Sequence, residues 1–135
     1  MQLSGFGDFK EKLNSFQKIL KKEKLKTLQI NIGKLCNLAC HHCHVEAGPK
    51  RTEMMDEKTA LRTIELIKNS KDIQIIDLTG GAPELNPFFK SIVKASRDAR
   101  KDVIVRCNIT VLFEKGQEET ANFFKTHNVN VVAYY

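Results

Sequence analysis

Four short runs rich in β-branched residues restrict what this chain can become. They are TLQINIG at 27–33, IQIIDLT at 73–79, DVIVRCN at 102–108 and VNVVAYY at 129–135. Each reads as an extended strand. Between them the apolar spacing changes to that of a helix. Asp56 is placed to cap a helix in which Ala60, Leu61, Ile64 and Ile67 recur to about Asn69. Pro87 suits a first helical turn, and Phe88, Phe89, Ile92, Val93 and Ser96 continue that helix to about Arg100. A third helix is expected over 117–126. The order is βαβαβαβ, with later repeats of roughly 30 residues, the length of one βαβ unit. This is an α/β pattern, and it predicts parallel strands joined by right-handed crossovers. The first interval is longer because a cysteine-bearing loop lies between strand and helix.

With 135 residues, 41% of them apolar, the chain can bury one core and not two. No run of eighteen apolar residues occurs, so no membrane helix and no membrane partner are expected. The start, MQLSGFGDFKEKL, lacks the basic-then-apolar pattern of a secretory signal, and a cytoplasmic location is the resulting expectation. The net charge of +6 comes largely from seven lysines between Lys10 and Lys26, opposed there by Glu11 and Glu23. Read as a helix, this stretch puts Phe9, Leu13, Phe16 and Leu20 on one face. The expectation is a basic amphipathic helix over 1–26, docked on a domain that occupies 27–135. Without a recognised binding motif or interleaved aromatics, a nucleic-acid partner is not expected.

In parallel α/β sheets, active sites gather at the carboxyl ends of the strands. Three unusual features converge there. The loop KLCNLACHHCHVEAGPKR leaves the first strand, the turn TGGAPE leaves the second, and Arg106 and Asn108 end the third. The loop sets three cysteines and three histidines within nine positions, as Cys36-x3-Cys40-x2-Cys43 with His41, His42 and His44. Clustered thiols in a chain without a secretion signal point to metal rather than to disulfides. A zinc ion is one reading, its fourth ligand drawn from the histidines. A redox pair at Cys40 and Cys43 is another. Three thiolates also suit a [4Fe-4S] cluster with one iron open to a substrate. Elsewhere, Cys107 reads as a small buried apolar side chain. Asp77, an acid within an apolar strand, is expected to pair with Lys34 or Arg106. Lys50, Arg51 and Glu53 read as solvated, and His127 as a residue without a special role.

The CxxxCxxC spacing at the end of the first strand, followed by TGGAPE at the end of the second, resembles the radical S-adenosylmethionine (SAM) superfamily. The resemblance implies a partial TIM-like barrel, of which this chain holds the first four βα-type units. It implies that Cys36, Cys40 and Cys43 hold a [4Fe-4S] cluster and that Gly80 and Gly81 bind the methionine amino group of SAM, with Glu84 beside them or capping the next helix. Arg106 and Asn108 would lie near the methionine carboxylate or ribose. His42 stands where an aromatic residue is common and would lie near the adenine. The implied activity is generation of a 5'-deoxyadenosyl radical, with an electron donor such as a flavodoxin or ferredoxin.

Three longer stretches, TLQINIGKLCNLACHHCHVEAGPKRTEMM, DLTGGAPELNP and VIVRCNIT, are similar to the arsenosugar-biosynthesis proteins of that superfamily, those with a radical SAM/Cys-rich domain organisation. This narrower resemblance implies transfer of the adenosyl group to a methylated trivalent arsenical. Members have a six-strand partial barrel and a Cys-rich C-terminal domain, so this chain is expected to be an N-terminal piece whose last strand leaves an unpaired edge. The alternatives are a radical enzyme acting on a peptide or another small molecule, and a non-catalytic zinc- or cluster-binding module. No catalytic side chain is assigned from the sequence.

Overall fold

The computed structural model describes residues 8–133 apart from 18, 20 and 22. Strands β1 (Thr27–Asn31), β2 (Ile75–Thr79), β3 (Asp102–Cys107) and β4 (Asn130–Ala133) form one sheet. All three pairings are parallel, and the order is β1-β2-β3-β4. Helix α1 (Phe9–Ser15) precedes the sheet, and α2 (Glu57–Asn69), α3 (Phe89–Asp98) and α4 (Thr120–Thr126) form the three connections. Short 3₁₀ turns, Pro83–Leu85 and Thr110–Phe113, lie between strand and helix in the second and third connections. This is the arrangement of a partial TIM-like barrel, as the alternation in the sequence requires.

Register explains the core. Leu28, Ile76 and Val103 are cross-strand neighbours, as are Ile30, Leu78 and Val105. Both rows point to one face, because successive side chains alternate across a strand. Ala60 and Ile67 of α2, Phe89, Ile92 and Val93 of α3, and Phe124 of α4 join them in a single buried cluster. Phe89 and Phe124 meet edge-on at 81°. Each such aliphatic or aromatic side chain contributes about 1.5–3 kcal/mol by leaving water. Helices α2, α3 and α4 thus share one face of the sheet. The other face carries Gln29, Asp77 and Arg106, joined by side-chain hydrogen bonds.

The helix starting after Asp56 forms as expected, with Asp56 Oδ1 accepting from the Thr59 amide at 2.8 Å. Its buried stripe is narrower than the sequence predicts. Ala60 and Ile67 are buried, but Leu61 is 60% exposed, since one residue onward turns the side chain about 100° round the helix. Helix α3 begins at Phe89, past Pro87, and α4 begins at Thr120. The strands are shorter than the extended runs. β1 stops at Asn31 because Gly33 bridges Met54 antiparallel instead. In the second run, the amides of Gln74 and Ile75 both donate to Lys26 O, before the ladder begins.

The N-terminal expectation needs correction. Among the described residues the helix is seven residues long, ends where Gln17 takes a φ of 53°, and has no buried residue. Phe9 and Phe16 are 66% and 70% exposed, so the apolar face is not docked as a docked helix over 1–26 requires. A seven-residue helix has little stability of its own, and its two lysines favour solvent. Leu20 lies outside the described residues, as do Tyr134 and Tyr135 of the last extended run. Among the described residues, no helix is long and apolar enough to cross a membrane.

Two polar side chains tie the connections to the sheet. Lys101 is buried and its Nζ donates to the carbonyls of Ser70 and Ile73, each at 2.6 Å. Asn86 is also buried, and its Nδ2 donates to Ile32 O at 2.8 Å and Met55 O at 3.3 Å. Its Oδ1 accepts from the Phe88 amide at 2.8 Å, which fixes the entry to α3. Asn86→Ala leaves these buried partners without the amide. We expect it to lower unfolding stability by roughly 1–3 kcal/mol, read as a lower urea midpoint. An unchanged midpoint contradicts this role.

Candidate functional site

The loop after β1 is seated on the turn after β2. The Gly81 amide donates to Gly33 O and the Ala82 amide to Leu35 O, both at 2.9 Å. This contact demands glycine. A Cβ on Gly81 would stand 2.3 Å from Leu35 O, and one on Gly80 would stand 2.7 Å from Gly33 O. The far end of the loop closes on the same place. Cys36 N donates to Gly48 O at 3.2 Å, and Gly48 N donates to Lys34 O at 3.1 Å. Residues 36–47 therefore form a lobe with a hydrogen-bonded neck. Inside it, turns closed by Cys43 N to Cys40 O and Glu46 N to Cys43 O, both 3.2 Å, replace regular structure.

The lobe encloses one side of a cavity of about 500 Å³, within the range of small-molecule sites. Cys36, Cys40 and Cys43 line it, together with His42, His44, Thr79, Gly80, Gly81, Arg106, Cys107 and Asn108. The three strand ends thus meet where the sequence predicts. The thiols differ in setting. Cys36 is buried, Cys43 half-buried and Cys40 exposed. Cys36 Sγ accepts from Leu38 N at 3.5 Å and Asn108 Nδ2 at 3.4 Å, and Cys43 Sγ accepts from Ala47 N at 3.2 Å. His41 and His42 are exposed, with ring centroids 5.8 Å apart. Among the described residues, no three His, Cys, Asp or Glu side chains are gathered closely enough to hold a metal ion. The donor set itself, three thiols within eight residues on one cavity wall, fits an iron–sulfur cluster with one iron free of protein ligands.

Asp77 pairs with Arg106, and the Lys34 alternative is not taken. Arg106 Nε and Nη2 reach the carboxylate at 3.0 and 2.8 Å, and Gln29 Nε2 adds a bond of 3.0 Å. The hydrogen bonds from Arg106 hold the Asp77 carboxyl below its usual range, against the opposing effect of burial. Arg106 borders the cavity with its guanidinium already engaged. His127 stacks on Phe123 with centroids 4.1 Å apart, away from the cavity lining.

Glu84 departs from expectation. It does not line the cavity, and α3 has no side-chain cap. The 3₁₀ turn carries the side chain into the core instead, where Glu84 is buried. Among the described residues, neither carboxylate oxygen has a hydrogen-bond partner at normal distance, and the polar group beside it is the Cys107 thiol. Burial raises the Glu84 pKa and, with the adjacent acid, pushes Cys107 up to about 12. Cys107 is therefore a thiol near neutral pH, as a small core side chain should be. Sequence reasoning also missed Ile109, a β-branched residue held at a φ of 58° directly after Asn108.

Fold and cavity together define a parallel βα-repeat protein with a three-cysteine lobe over its strand ends. The family model described as the Radical SAM superfamily matches residues 30–134, and the chain belongs to that family. Two curated relatives are similar to it. One is YydG of Bacillus subtilis (strain 168), named for peptide biosynthesis, 28% identical over 110 residues that make 80% of this chain and 34% of the relative. The other, from Pyrococcus abyssi (strain GE5 / Orsay), is named as a GTP 3',8-cyclase and is 30% identical over 91 residues, 67% of this chain and 29% of the relative. The chain spans about a third of the length of these relatives.

Two outcomes follow from the geometry. Gly81→Ala forces the neck off its seat, so the buried Cys36 becomes accessible. Thiol labelling of the native metal-free chain should then modify Cys36 as well as Cys40, whereas the unaltered chain reacts at Cys40 first and keeps Cys107 protected. Equal protection of Cys36 in both chains counts against the seat. Glu84 gives a pH dependence. Its folded pKa is raised, so the folded chain retains a proton that the unfolded chain releases. Stability is full below the ordinary value of 4.5 and is lost as pH rises through the folded value. Urea midpoints at about pH 5 and about pH 8 should fall between the two for the native chain and much less for Glu84→Gln. Parallel falls in both would remove Glu84 as the cause.

Proposed function

We propose that Cys36, Cys40 and Cys43 hold a [4Fe-4S] cluster and that the adjoining cavity takes SAM. The observation that carries this reading is the meeting of three thiols and the Gly80–Gly81 turn on one cavity, in a chain of the radical SAM superfamily. When bound, such a cluster supplies the electron that cleaves SAM to methionine and a 5'-deoxyadenosyl radical. The chain's own residues position and shield. Gly80 and Gly81, which line the cavity, present backbone to the methionine amino group. Arg106, fixed by Asp77, offers a located positive charge toward the carboxylate. His42 stands at the lobe for the adenine, and the lobe limits water. A flavodoxin or ferredoxin is the proposed electron donor, and the cytoplasm the proposed location. The division into 1–26 and a barrel part from 27 belongs to the same proposal.

For the substrate, the CHVEAGP and TGGAPELNP stretches favour adenosyl transfer to a methylated trivalent arsenical. The relative named for peptide biosynthesis favours a second reading, modification of a peptide. Anaerobic reconstitution with iron and sulfide tests the site. A brown protein with about four irons per chain is expected. With dithionite and SAM it should release 5'-deoxyadenosine, and Cys40→Ala should lose both colour and cleavage. A colourless protein that loads zinc instead would sink the cluster reading. Addition of dimethylarsinous acid separates the substrates. A product with carbon 5' bonded to arsenic supports the arsenical. Release of 5'-deoxyadenosine without any such product counts against the arsenical.

A further inference from the structure

Asn108 is expected from resemblance to lie near the methionine carboxylate or ribose of SAM, yet its side chain is committed elsewhere. Its Oδ1 accepts from the Val111 amide at 2.9 Å, at the start of the 3₁₀ turn. A backbone N–H can only donate, so this bond fixes which end of the side-chain amide is oxygen. The opposite end is therefore the NH₂. That group donates to Asn37 Oδ1 at 2.8 Å and reaches Cys36 Sγ at 3.4 Å. Asn37 is held in turn by its Nδ2 on Thr110 Oγ1 at 2.9 Å. Two segments 72 residues apart are tied together through the amides of Asn108 and Asn37, with a thiol at the junction.

The three cysteines are unequal in this respect. Cys36 has donors from Leu38 N and Asn108 Nδ2. Cys43 has Ala47 N, and for Cys40 none is present among the described residues. Asn108 is the one side-chain donor in this set, and it comes from a different strand end. Hydrogen bonds to a ligating sulfur draw charge from the metal and raise its reduction potential.

We propose that Asn108 is a positioning residue for Cys36, which orients that thiolate and makes a cluster held there easier to reduce. This rests on the cluster reading above, and the experiment separates the two. The protein is the full chain reconstituted with iron and sulfide. Asn108→Asp keeps the acceptor for Val111 N–H but exchanges the donor to sulfur for an anion. Asn108→Ala removes both. An EPR-monitored redox titration should give a more negative midpoint potential for both variants, with the larger shift for Asn108→Asp. A folded variant that loads less iron than the unaltered chain also supports the assignment. Where either variant fails to fold, Asn108→Gln carries the test. It keeps the amide one methylene further from β3, and its potential should be more negative than the original. Potentials and iron loads equal to the unaltered chain in the folded variants overturn the proposal. If the unaltered chain itself binds no cluster, the site reading has failed at the earlier step.

Discussion

The structure hangs on a backbone contact: the chain leaving β1 lies directly on the chain leaving β2. Amide-to-carbonyl bonds of 2.9 Å join Gly81 to Gly33 and Ala82 to Leu35. A side chain at position 81 would stand 2.3 Å from a backbone oxygen that has little room to retreat. Glycine here is a steric requirement of the fold before it is anything for a ligand. Both glycines also line the cavity, so the contact that seats the lobe forms part of the cavity wall. A side chain at either glycine therefore disturbs assembly of the neck first, and under the proposed function any effect on binding would come with it.

The two sides of the sheet solve different problems. On the helix side, parallel register aligns apolar rows, and burial supplies the stability. On the open side, Asp77 lies in β2, one of the two central strands, and is shielded by Gln29 and Arg106. Taking a carboxylate out of water is unfavourable unless it is paired and hydrogen-bonded. The bidentate guanidinium meets that condition and is itself fixed by doing so. The arrangement makes the interior of a partial barrel polar without leaving its acid unpaired. It also leaves Arg106 rigid at the cavity edge, which suits a located charge better than a mobile one.

Much of the fold was legible because its signals are local. β-branched runs marked all four strands, Asp56 marked the start of α2, and βα alternation gave the parallel order. The rim followed from topology alone, since parallel strands bring their carboxyl ends together wherever those ends fall in sequence. The features that escaped depend on what lies opposite in space. Asn86 before a proline reads as an ordinary turn residue, and nothing nearby announces that Ile32 and Met55 need its amide. Glu84 reads as a capping or ligand-facing acid, because acids are rarely buried. Its inward course is set by the 3₁₀ turn, which the sequence does not advertise. Helical periodicity in the lysine-rich start was real only over Phe9–Ser15 among the described residues, for a pattern supplies a face but no surface to receive it. The tie between Asn108 and Cys36 joins loops 72 residues apart and had no local sign.

The lobe's construction bears on how three thiols could come together from a loop without regular structure. Ordering a free segment of this size would cost on the order of 1–2 kcal/mol per residue in backbone entropy. Most of that is already met by the fold. The neck between Leu35 and Gly48 closes the loop, and Cys36 is buried and held by Asn108, just past the end of β3. Freedom remains chiefly toward Cys40, the most exposed of the three. A ligand group assembling here would meet one fixed thiol, one partly fixed and one free to swing. For the cluster proposed above, that gradation would let the site close without demanding that the sheet move, and it would make Cys36, the buried one, the thiol whose surroundings the rest of the protein can tune.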